Sequence, residues 1–145
     1  MKYILGKLAV VLLILFSLNG CVHTIPTVTL EQKLRIVKIL TDTEIHARLA
    51  IPNLPEEDKT IFRQEMISRN PEWTEEMKTL VKEGKIRIGM TKEQVLASWG
   101  KPYNKATFGS VWGTTEQWTY GTCLYGCTIL DFDNQGKLTN YYQSQ

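Results

Sequence analysis

The apolar period of this chain shifts from helical spacing to strand alternation along its length, and that shift confines it to an α+β arrangement. Before Gly84 the hydrophobic residues recur at helical spacing, and in the last thirty or so residues they alternate as strands do. Leu30, Leu34, Val37, Leu40, Ile45 and Leu49 make the first stripe, opened by a Thr29/Gln32 capping box and closed by Pro52 and Pro55. They predict one helix. A second helix starts at Pro55, with Glu56, Glu57 and Asp58 complementing its dipole, presents Ile61, Phe62 and Met66, and stops at Asn70-Pro71. A third runs from about Thr74 to Glu83 with Met77, Leu80 and Val81 inward and Gly84 as its cap.

Beyond Gly84, Ile86-Arg87-Ile88-Gly89 reads as a short extended piece, and Thr91 with Gln94 is a capping box for a helix in which Val95, Leu96 and Trp99 share a face. Gly100-Lys101-Pro102 ends it. Residues 116–120, 128–133 and 137–142 then read as strands, the last two joined by a turn at Asn134-Gln135-Gly136. One face of them carries Trp118, Tyr120, Leu130, Phe132 and Leu138, which the Val95/Trp99 helix must cover. The expected fold is helices on one face of a three-stranded antiparallel sheet, preceded by a helical extension.

The first residues serve another purpose. Lys2 and Lys7 precede an apolar run, Leu8 to Phe16, that falls short of the roughly 20 residues a bilayer span requires. Leu18-Asn19-Gly20-Cys21 follows directly and resembles the bacterial lipobox. That resemblance implies a signal peptide at 1–20, cleavage before Cys21, and lipid on the thiol and the new amine of that cysteine. At about 0.8 kcal/mol per buried methylene, two or three chains anchor a protein stably. Val22, in place of Asp, implies sorting to the outer membrane with the protein facing the periplasm. Residues 21–28 form a tether containing Pro26, and at about 3.3–3.6 Å per residue they hold the first helix within roughly 30 Å of the anchor.

Lys2 and Lys7 are the only charges in the signal, so its removal from a chain with 17 basic and 15 acidic side chains leaves the two signs balanced. No basic stripe remains to hold nucleic acid. The remaining length suits one small domain with helical decoration, taken as a helical region at 29–84 and an α+β domain at 85–145.

With Cys21 given to lipid, Cys123 and Cys127 form a pair in an oxidising compartment. Leu124-Tyr125-Gly126 has the length of a hairpin loop that sets the two cysteines opposite each other on adjacent strands, as a structural disulfide. Redox chemistry is the other reading, against which stand the C-x-x-x-C spacing and the lack of a helix N-terminus to acidify a thiol.

The order Ile88-Gly89-Met90-Thr91, Gln94-Val95, Gly100-Lys101-Pro102, Trp118-x-Tyr120, Leu130-x-Phe132 and Gly136-x-Leu138 is similar to the domain of BamE-like (SmpA/OmlA) lipoproteins over about residues 85–142. The resemblance implies two helices on a three-stranded sheet, no catalytic activity, and an accessory role beside a β-barrel assembly complex of the outer membrane. The same fold also occurs in β-lactamase-inhibitor proteins, so an inhibitor-like binder of an envelope or secreted enzyme is the alternative. The helical residues 29–84 and the Cys123/Cys127 pair fall outside that pattern.

Catalytic chemistry has no visible signature. His23 and His46 lack sequence partners, and no nucleophile elbow, phosphate loop or zinc spacing occurs, so neither a metal nor a cofactor is expected. Asp131 and Asp133 share a strand face and suit either a turn acceptor or, less completely, a calcium loop. Thr107 to Thr115 reads as a glycine-rich loop carrying Phe108, Val111 and Trp112. Phe108 and Trp112, joined by Tyr125 at the next hairpin tip, are the candidate partner contacts; alternatively Trp112 folds back over the sheet as a lid.

Overall fold

The computed structural model describes residues 28–144 except Trp112 and Tyr125, without the side chains of Ser110 and Ser144. His23, Cys21 and the segment before it lie outside the described residues, as does the tether up to residue 27.

The first apolar stripe forms two helices, α1 (Leu30–Ile39) and α2 (Asp42–Leu49), where the stripe alone predicts one. Thr29 and Gln32 cap α1 reciprocally. A second capping box interrupts the stripe: the Thr41 hydroxyl accepts from the Glu44 backbone N–H, and the Glu44 carboxylate accepts from that of Thr41. Leu40 is consequently extended, and the chain turns between two amphipathic segments that share one apolar period. Next come α3 (Glu56–Arg69), with Pro55 at its N-cap, and α4 (Glu75–Lys82), capped by the Thr74 hydroxyl. The chain leaves α4 through Gly84 at φ +65°.

Residues 86–90 end in a turn at Ile88-Gly89. Gly89 N–H donates to Leu138 O and Leu138 N–H to Met90 O, so the segment is tied to the last strand before α5 (Lys92–Trp99) begins. Thr91 and Gln94 form the expected capping box, and Gly100 at φ +79° ends the helix.

Four antiparallel strands follow in sequential order: β1 (Asn104–Ser110), β2 (Gly113–Gly121), β3 (Cys127–Phe132) and β4 (Leu138–Ser144). The sequence suggests three. The additional strand lies largely in the stretch read as a loop at Thr107–Thr115, which is a hairpin paired from Asn104↔Thr119 to Ser110↔Gly113. Its side chains show no apolar alternation, because an edge strand is held by its backbone ladder and need not bury a full face.

Trp118, Leu130, Phe132 and Leu138 are buried, with the Trp118 and Phe132 rings 4.6 Å apart. Trp99 of α5 meets Tyr120 edge-on at 5.2 Å, and the Tyr120 hydroxyl donates to Gly100 O at 2.9 Å. These residues share one buried apolar cluster with Val37, Ile45, Met66 and Val81 of the earlier helices. At about 25 cal/mol per Å² of apolar area removed from water, that cluster is the main source of cohesion.

One charged side chain enters it. Arg63 of α3 is only 7% exposed; its Nε donates to Ser98 O of α5 at 3.0 Å and its guanidinium pairs with Glu56. Trp99 Nε1 donates to Gly84 O at 2.8 Å. Together these bonds fasten α3, the end of α4 and α5 to one another.

Candidate partner-binding surface

The β1–β2 hairpin is built for projection. The turn that carries Val111 closes at Gly113, whose φ of +128° is a conformation that side-chain-bearing residues rarely adopt. A side chain there would also approach that of Asn134 in the β3–β4 turn. Val111 is 94% exposed and Phe108, on the adjoining edge strand, 54%. Trp112 lies outside the described residues, so its lid and contact readings both stay with the sequence.

Charged groups stiffen the hairpin from behind. Glu116 of β2 accepts from Lys92 of α5 and from the Trp118 indole N–H. Burial would raise its carboxyl pKa, yet these two donors and nearby Lys105 hold it below the usual range. Lys105 Nζ lies 4.1 Å from the Trp118 ring centroid, within cation–π range. The exposed apolar tip therefore stands on a fixed base.

The register separates the proposed contacts. Phe108 and Val111 lie by the Ser110↔Gly113 end of β2, whereas Leu124, beside Tyr125, follows the Gly121↔Cys127 end. The nine residues of β2 put eight residue steps, about 26 Å at 3.3 Å each, between the two ends. Tyr125 itself is outside the described residues, but its turn does not share a patch with the first hairpin.

Cys123 and Cys127 have their sulfur atoms at bonding distance, 2.14 Å, with Cα atoms 4.6 Å apart. They are not the cross-strand pair the loop length suggests. Cys127 lies opposite Gly121, and Cys123 belongs to the turn, because β2 already ends at Gly121 with φ +81°. A Cβ at Gly121 would sit 3.0 Å from Gly126 O.

Near this end an open cleft of about 570 Å³ runs between α2, the residues after α5 and the end of β2. Leu49, Ile51, Trp99, Pro102 and Tyr103 line it, with Lys59 and Lys101 among them. The walls come from segments far apart in the chain, so no sequence spacing signals it. Burial pushes the Tyr120 phenol well above its ordinary pKa, which keeps it a neutral hydrogen-bond donor.

Asp133 acts as a turn acceptor: its Oδ1 takes the backbone N–H groups of Gln135 and Lys137, each at 2.9 Å. Asp131 instead accepts from Gln117 Nε2. Among the described residues no three His, Cys, Asp or Glu side chains are grouped to hold a metal ion. His46 is half-buried on α2, and its Nε2 is enclosed without a hydrogen-bond partner. No described helix is long and apolar enough to cross a membrane.

Comparison of the chain with protein families, with curated proteins and with solved structures finds no match.

Proposed function

We propose that the chain is an outer-membrane lipoprotein, anchored through Cys21 and facing the periplasm, that works as a non-enzymatic protein-interaction module accessory to outer-membrane protein assembly. The lipobox at Leu18 to Cys21 supports the anchor, and the BamE-like (SmpA/OmlA) motif order over about 85–142 supports the assembly role. In support of the finer fold reading, helices covering one face of a three-stranded sheet, Trp99 of α5 meets Tyr120 of β2 and Lys92 of α5 lies 5.9 Å from the Phe132 ring centroid of β3. Strand β1 is an addition to that pattern.

The observation that carries the interaction role is the β1–β2 hairpin, where exposed Phe108 sits on a strand that pairs only with β2 among the described residues and exposed Val111 follows in the turn. Apolar anchors beside an open strand edge suit a partner that adds main-chain hydrogen bonds and buries those side chains. The partner is an envelope protein, with a β-barrel assembly complex the first candidate.

The test is capture from detergent-solubilised envelopes, comparing the acylated protein with Cys21→Ala, Phe108→Ser and Trp112→Ala forms. Retention of barrel-assembly components by the acylated protein, lost in Phe108→Ser, is expected. Retention of only a soluble hydrolase would favour the inhibitor-like alternative, and equal retention by all forms would remove the hairpin from the interface.

A further inference from the structure

Helix α1 is underpacked for its composition. Five of its ten residues are apolar (Leu30, Leu34, Ile36, Val37 and Ile39), yet Val37 alone is buried. Leu30 and Leu34 are 55% and 43% exposed, and Val28 just before them is 47% exposed. Leu30, Leu34 and Lys38 follow one another at i, i+4 and i+8, a single row along the helix. Lys38 is exposed, so its stem can lie along the row while its ammonium stays in water.

The side of α1 that adjoins this row is committed to α3. Lys33 Nζ bonds Asp58 of α3 at 2.6 Å, and Arg69 Nη2 donates to Val37 O at 3.2 Å. Lys33 is i+3 from Leu30 and Val37 is i+3 from Leu34, so these contacts hold the row on the flank of the α3-facing side, where Leu30 and Leu34 stay exposed. The row cannot simply rotate inward.

What precedes α1 says what covers this row. Leu30 is nine residue steps after Cys21, and at no more than about 3.6 Å each these keep Leu30 within roughly 32 Å of an acylated Cys21. A partly apolar helix held that close to a bilayer meets lipid at a high effective concentration, so a weak interfacial contact becomes populated. We propose that the Leu30/Leu34 row, with Val28, is a membrane-contact face that lays α1 on the bilayer surface to which Cys21 tethers the chain. The proposal rests on the lipoprotein reading. It fixes which side of the molecule meets the membrane and leaves the β1–β2 hairpin to a protein partner.

The disulfide and the acylated Cys21 leave an introduced thiol as the one reactive position. The full-length acylated protein carrying Leu34→Cys, Leu30→Cys or, as control, Gln135→Cys is labelled with an environment-sensitive dye. Each is reconstituted into vesicles of phosphatidylethanolamine and phosphatidylglycerol containing a nitroxide-labelled lipid. Quenching at residue 34 or 30 at least threefold that at residue 135 is expected, with Leu30→Cys guarding against a misfolded Leu34 variant. Equal quenching at all three, on protein whose Cys21 is acylated by mass spectrometry, overturns the membrane-contact face and leaves the lipoprotein reading standing. An unmodified Cys21 in protein recovered from membranes overturns both.

Discussion

The guanidinium of Arg63 fills the space that a side chain at Gly84 would need: a Cβ built there would sit closer to Nη2 than real contacts allow. Arg63 in turn reaches Ser98 O, so one missing methyl group lets a buried cation tie α3 to α5. Gly84→Ala forces a left-handed residue to carry a side chain and pushes Arg63 off its carbonyl. The expected cost is about 2–4 kcal/mol from strain plus a broken buried hydrogen bond, read as a urea midpoint shift. Adding Arg63→Ala should change the double mutant by less than the sum of the single effects, because the two substitutions remove the same contact.

Gly100→Ala should be more damaging. A Cβ there would approach backbone, 2.5 Å from Ala50 N and 2.6 Å from His46 O, at φ +79° and ψ −163°. Backbone cannot move aside as a side chain can, so the expected loss is at least about 3 kcal/mol, seen as a collapse in melting temperature.

Acid should weaken the fold through His46. Burial pushes its pKa below the ordinary value, and nearby Lys105 acts in the same direction, while Asp42 and Glu93 oppose them. The folded state therefore binds the proton less readily than the unfolded chain does. Stability from this group is fully present above about pH 6.5 and is lost as pH falls below it. Urea midpoints between about pH 7.5 and pH 5 should decline for the wild type and flatten in His46→Asn, a window above the carboxylates whose pKa values are lowered.

Reduction of Cys123–Cys127 should cost about 2 kcal/mol, the chain-entropy value for so short a ring. Because this turn and the β1–β2 tip lie at opposite ends of β2, partner capture should survive dithiothreitol. Denaturation and capture measured on the same reduced sample check both statements.

Phe108→Ser should separate binding from stability. Its ring is largely exposed, so the stability change should stay within about 0.5 kcal/mol while capture of the envelope partner falls at least tenfold. A large melting-temperature change would instead make Phe108 a structural residue.

Local signals explain most of what was legible. The Thr29 and Thr91 caps, the stops at Asn70 and Gly100, and the Asp133 turn each depend on neighbours within a few residues. Thr41-x-x-Glu44 carried an equally local signal, masked by an apolar period that runs unbroken across the junction. Strand β1 was hidden for a different reason: Asn104 to Ser110 has little apolar alternation, and its pairing is specified by β2.

The α+β class, the Thr29 and Thr91 capping boxes, the Cys123/Cys127 pairing and the core residues Trp118, Leu130, Phe132 and Leu138 were readable from the chain itself, because periodicity and capping act at short range. Only tertiary structure decided that the two hairpin tips lie at opposite ends of the sheet and that Arg63 is buried over Gly84. It also decided that α1 turns Lys33 inward and leaves Leu30 and Leu34 outside. Those outcomes follow from packing between segments distant in the chain, and no local spacing encodes them.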